Sequence, residues 1–87
     1  MQDLKDPRIK RLIYRSKYTG TKELDTLLGR FVERRMAGLT DKQVAQLERL
    51  VENSNPDLYM WISGRTAPPA DWDNEVLRML QDFNAAP

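Results

Sequence analysis

The chain has 87 residues, 40% hydrophobic and 31% charged, a globular composition with room for one domain and a thin core. It contains no cysteine and no histidine, which excludes disulfides and thiolate chemistry and removes the commonest general base and the commonest metal ligand. The formal net charge of +1 is unevenly spread: residues 1–22 carry seven basic and two acidic side chains, net +5, and residues 23–87 carry seven basic and eleven acidic, net −4. A basic end on an otherwise acidic chain points to an acidic partner surface.

Pro7 suits the first position of a helix, and Ile9, Leu12 and Ile13 make one apolar stripe, which predicts a helix over residues 7–18. Gly20 interrupts it. Leu24, Leu27, Leu28, Phe31 and Val32 recur at spacings of three and four and predict a second helix over residues 21–36, punctuated by Gly38. Thr40 and Gln43 have capping-box spacing, and Val44, Leu47, Leu50 and Val51 form the apolar face of a third helix. Asn55 can cap a fourth, with Pro56 in its first turn, Asp57 on its dipole and Gly64 at its end. After the loop "RTAPPA", Asp71 can cap a fifth helix with Trp72, Val76, Met79, Leu80 and Phe83 on one face. No run alternates with period two. The predicted class is all-α, a compact five-helix bundle-like single domain over residues 1–87, in which short linkers pack neighbouring helices together.

Few motifs carry chemistry. No nucleophile is paired with a base, and Asp71, Asp73 and Glu75 read as helix N-terminal charges rather than a metal site. The isolated glycines make no phosphate loop. Tyr59, Trp61 and Trp72 read as packing residues. Arg8, Lys10, Arg11, Arg15 and Lys17 fall within ten residues ahead of a tight turn and a second helix, which keeps a nucleic-acid-binding module as an alternative. Against it, the chain is nearly neutral and the second helix is mixed in sign. At the turn, Gly20 can take a left-handed conformation and Glu23 can accept backbone amides in the first turn of the next helix. The same corner can present a carboxylate, open backbone and neighbouring cations to a partner's cleft.

The segments "RLIYRS", "GTKELDTLLGRF", "LTDKQVAQLERLVE", "NPDLYMWISG" and "DNEVLRMLQDF" occur in one order over nearly the whole chain. Together they resemble the small succinate dehydrogenase assembly factors, the flavinylation factors of bacteria and mitochondria. That family's signature is Arg-Gly-x-x-Glu at the start of the second helix. Gly20 and Glu23 match it, and Thr19 stands where the arginine would be. Arg11 and Tyr14 match the first-helix pattern, and Asp57 matches the "DLYxW" segment.

The resemblance implies a five-helix protein that is not an enzyme and binds no cofactor stably. It implies action on FAD attachment in a client, the flavoprotein subunit of succinate dehydrogenase, extending to fumarate reductase in some bacteria. The bond joins the flavin 8α carbon to a histidine, and this chain has none, so the acceptor would be the client's. The partner-binding residues it implies are Arg11, Tyr14, Arg15, Tyr18, Thr19, Gly20, Glu23 and Asp57. No nucleic acid, no metal and no membrane insertion are expected, and the free protein is expected to be a monomer. Some relatives have been labelled antitoxins, a further alternative. With no apolar signal core at the N-terminus, the chain reads as a complete bacterial cytoplasmic protein or a mature mitochondrial matrix protein.

Overall fold

Asp6 starts the first helix: its side chain accepts the Arg8 backbone N–H at 2.8 Å, and Pro7 supplies a residue with no amide to satisfy. The computed structural model describes residues 2–52 and 56–85. Helix α1 spans Pro7–Lys17, α2 spans Lys22–Arg35, α3 spans Asp41–Glu52, α4 spans Leu58–Ile62 and α5 spans Glu75–Ala85. Short 3-10 turns at Met36–Gly38 and Ala70–Trp72 follow α2 and precede α5. No strand occurs among the described residues, and none of the helices is long and apolar enough to cross a membrane. The fold is all-α.

The predicted faces turn inward, with Ile13, Leu27, Val51, Met79 and Phe83 only partly buried and Leu77, which no predicted face included, fully in the core. Ile9 and Leu12 of α1, Leu24, Leu28, Phe31 and Val32 of α2, and Val44, Leu47 and Leu50 of α3 form one core with Val76, Leu77 and Leu80 of α5. Full burial of each such side chain stabilises by about 1.5–3 kcal/mol. Helix α1 packs mainly on α2, while α5 closes the bundle against α2, α3 and α4. Ser16 is the buried polar side chain, and its hydroxyl donates to the Leu12 carbonyl at 2.8 Å. Gln2 ties the N-terminal segment down: its backbone N–H donates to Ala37 O and its amide to Leu39 O, both at 2.9 Å.

The capping box forms as its spacing predicts. The Thr40 N–H donates to Gln43 Oε1 at 2.9 Å, and the Gln43 N–H donates to Thr40 Oγ1 at 3.1 Å. Gly64 and Gly20 both adopt the left-handed backbone, at φ +78° and +97°.

Four local expectations are corrected. The α5 cap is Asn74, whose Oδ1 accepts the Leu77 N–H at 2.8 Å, and not Asp71, which lies in the preceding 3-10 turn. Trp72 sits in that same turn, ahead of α5, where its ring lies 5.9 Å from Trp61 and 4.5 Å from the Arg49 guanidinium. Pro56 precedes α4, because Asp57 is already the N-cap residue. The carboxylate that accepts a backbone amide at the α1–α2 corner is Asp25, not Glu23. The expected cap at Asn55 lies outside the described residues.

Gly29 sits buried in α2 where the Lys17 side chain crosses on its way to Glu33, which it meets at 3.0 Å. A methyl group there would lie 3.5 Å from Lys17 Cγ, an ordinary contact with a flexible chain. Glycine in a helix interior is destabilising by about 0.5–1 kcal/mol relative to alanine. Gly29→Ala is therefore expected to stabilise by about that amount and raise the melting temperature by several degrees in a thermal melt.

Candidate functional site

Residues 11, 14 and 15 are spaced i, i+3 and i+4, so Arg11, Tyr14 and Arg15 share the outward stripe of α1, and Tyr18, the residue just past its end, lays its ring against Tyr14. The inward stripe, Ile9, Leu12 and Ser16, is buried. Tyr14 and Tyr18 are each 65% exposed, against the few per cent typical of the core, and their ring centroids lie 4.7 Å apart. Arg15 is held across the stripe by Glu52 at 3.6 Å. Arg8, one turn before Arg11, is paired with Glu48, and that bond and charge hold its guanidinium above its ordinary pKa.

The corner after α1 is held by a clasp. The Thr19 N–H donates to Asp25 Oδ1 at 2.6 Å, and the Thr19 hydroxyl donates to the same oxygen. That hydroxyl accepts the Thr21 N–H at 3.4 Å. Asp25 lies in the first turn of α2, so it offsets the helix dipole as well as satisfying the turn. Gly20 stands between the two, exposed, with no atom within 4 Å of where a Cβ would be. Its need for glycine is conformational rather than steric.

Glu23 is exposed and makes no hydrogen bond or ion pair among the described residues. The charge that a cap would have used is left for solvent or a partner. The corner thus separates two carboxylates with different work: Asp25 holds the turn and Glu23 faces outward.

Two clefts flank the corner. One, about 300 Å³, is lined by Arg15, Tyr18, Thr19, Leu24, Leu50 and Leu58 among others. Asp57, the N-cap residue of α4, is the neighbour of Leu58 and Pro56 on its rim. The other, about 460 Å³, lies on the far side of α2, between Glu23, Leu27, Arg30, Tyr59 and Phe83. The structure therefore brings Arg15, Tyr18 and Thr19 together with Asp57 close by, continues them along α1 through Tyr14 and Arg11, and turns Glu23 toward the other cleft. No group of acidic side chains suited to a metal ion occurs among the described residues.

The sequence reading missed Asp25. Its only local signal is an acidic residue in a helix first turn, which ordinarily reads as a dipole charge. It also missed the second cleft, whose walls come from helices far apart in the chain.

The family model described as flavinator of succinate dehydrogenase matches residues 10–84. The chain belongs to this family of succinate dehydrogenase assembly factors. The match runs from α1 to the last turn of α5, so it takes in the stripe, the corner and both clefts. Among curated relatives, the chain is 35% identical over 72 residues to the mitochondrial succinate dehydrogenase assembly factor 2 of Dictyostelium discoideum, covering 83% of this chain and 51% of that protein. It is 37% identical over 75 residues to the factor of the same name from Arabidopsis thaliana, covering 85% and 40%. With that of Candida glabrata it shares 34% over 83 residues, covering 91% and 54%. The chain spans about half the length of the first curated relatives it matches. No solved structure matches it.

Proposed function

We propose that this chain binds the flavoprotein subunit of succinate dehydrogenase and promotes covalent attachment of FAD to a histidine of that subunit. The observation that carries the docking surface is the exposed Tyr14–Tyr18 pair between Arg11 and Arg15, running into the clasped corner at Thr19 and Gly20. Large aromatic rings and arginines anchor protein interfaces, and neither tyrosine belongs to the core. Asp57 and Glu23 extend the surface to either side, and the related fumarate reductase subunit is a second client of the same chemistry.

The chain offers no histidine, so the acceptor of the flavin belongs to the client. The small protein then acts by binding one client conformation more tightly than another, the one in which flavin and acceptor are aligned. The basic end steers the encounter toward an acidic client surface. The protein works where its client is made, the bacterial cytoplasm or the mitochondrial matrix, as a monomer that keeps no flavin of its own. The test is titration of the isolated flavoprotein subunit with this chain, alongside desalting of the chain from FAD. Tight binding with no retained flavin is expected. Stoichiometric flavin on the isolated chain, or no complex, contradicts the proposal.

Thr19 offers a sharper check, since the resemblance places an arginine there. Thr19→Arg keeps the backbone N–H bond to Asp25 and loses both bonds of the hydroxyl, to Asp25 and from the Thr21 N–H, a loss of about 1–2 kcal/mol of stability. In exchange it places a planar, two-pronged donor at the surface, worth more to a client carboxylate than either neighbouring lysine. The expected result in the same titration is roughly tenfold tighter binding. Unchanged binding would show that this position faces away from the client, and weaker binding that the client is fitted to threonine there.

A further inference from the structure

The cleft beyond α2 has a charge pattern that the fold does not use. Arg8, Arg15, Lys17 and Arg78 are each paired with a carboxylate. Lys22, Arg30, Arg34 and Arg35 form no ion pair among the described residues, and all four are exposed on α2. Arg30 and Arg34 are one turn apart on α2, and Lys22 lines the cleft together with Arg30. At that spacing the two arginines repel each other, and neither forms an ion pair among the described residues. The guanidiniums of Arg34 and Arg35 each lie 5.9 Å from the Phe83 ring. Phe83, Tyr59 and Leu27, all half-buried, make the apolar wall of the cleft.

We propose that this cleft is a second docking site, for an acidic polypeptide segment that carries a large apolar side chain. The apolar side chain fills the space against Tyr59 and Phe83. The carboxylates of the segment meet Arg30 in the cleft and Arg34 beside Phe83, whose planar forks match them, and Lys22 lines the cleft with Arg30. Charge complementarity chooses the occupant: the cations are unpaired, clustered, and set beside an apolar wall. A polypeptide fits better than a nucleic acid. Glu23 lines the cleft, and exposed Asp82 lines the adjoining hollow that shares Phe83 with it. A phosphate backbone would run past these carboxylates, whereas a polypeptide places its acids one by one. The site shares no lining residue with the cleft at the corner and meets the proposed flavoprotein surface at Glu23. It does not rest on the flavoprotein reading.

The test is an NMR titration of the isotope-labelled chain with an acidic peptide of sequence EEWEEL, with KKWKKL and a short DNA duplex as comparison probes. EEWEEL is expected to move amide signals of the outer face of α2, Tyr59, Phe83 and Asn84 and to leave those of Tyr14 and Tyr18 in place. Arg30→Glu/Arg34→Glu is expected to weaken the peptide roughly tenfold or more. Arg30→Gln/Arg34→Gln, which removes the charges without adding carboxylates, is expected to weaken it in the same direction and guards against misfolding of the first variant. The proposal is overturned by shifts centred on Tyr14 and Tyr18 or scattered over the surface, by equal binding of KKWKKL, by both variants binding normally, by no shift with EEWEEL, or by tighter binding of the duplex over the same residues.

Discussion

Replacing Tyr14 and Tyr18 together by alanine is expected to weaken binding of the flavoprotein subunit on the order of 100-fold, with little change in melting temperature. Both rings are 65% exposed, and their one aromatic contact is with each other at 4.7 Å. Substitutions at surface positions of this kind usually change stability by about 0.5 kcal/mol or less. Truncating a buried aromatic anchor at an interface, by contrast, typically loses about 2 kcal/mol or more of binding free energy. Two anchors in one pair are coupled, so their losses need not add. The measurement is a calorimetric titration of each single variant and the double variant against one client, with thermal melts in parallel. Unchanged affinity would move the docking surface off the outer stripe of α1. A large fall in melting temperature would make the pair structural.

The second large effect is on stability. Asp25→Ala removes the acceptor for both the Thr19 N–H and the Thr19 hydroxyl, at a part-buried site. Leaving such donors without a partner costs about 1–3 kcal/mol, and the loss of a first-turn carboxylate adds a few tenths more. The corner at Gly20 loosens with it, so client binding falls as well. Glu23→Ala is the contrasting variant. Glu23 has no bonded partner among the described residues, so its removal is expected to leave the melt nearly unchanged and weaken the client complex. Chemical denaturation and client titration of the two variants separate the roles. If Glu23→Ala destabilises the fold as much as Asp25→Ala, the division of labour between the two carboxylates is wrong.

The parts of this structure legible in the sequence are those decided locally. The apolar stripes of α1, α2 and α3 follow from spacing alone, because a buried helix face must repeat every three or four residues. The Thr40–Gln43 box forms because each side chain reaches a backbone amide within three residues. The neighbouring placement of Arg11, Tyr14 and Arg15 follows from helical geometry, whereas Tyr18 lies past the helix end and its choice as a partner-binding residue came from the resemblance. The start of α5 could not. Asp71, Asp73 and Asn74 are three candidate caps within "DWDN", and the choice falls to the tertiary contacts of Trp72 with Trp61 and Arg49, which hold the preceding turn apart from the helix. The clasp at Asp25 was hidden for a similar reason. It joins residues six apart across a turn, a distance that neither helical nor capping periodicity samples. The cleft between Tyr59 and Phe83 is built by folding, and no single segment announces it.

The most direct measurement is denaturing-gel flavin fluorescence of the purified flavoprotein subunit after incubation with FAD, with and without this chain. Covalent flavin survives denaturation, so the signal reports attachment and not binding. The expected result is a fluorescent client band that grows with added wild-type chain, is reduced by the Tyr14→Ala/Tyr18→Ala variant, and never appears on the small protein itself. A client band of equal intensity in the presence and absence of the chain, under conditions where the two proteins bind, would contradict a role in flavin attachment.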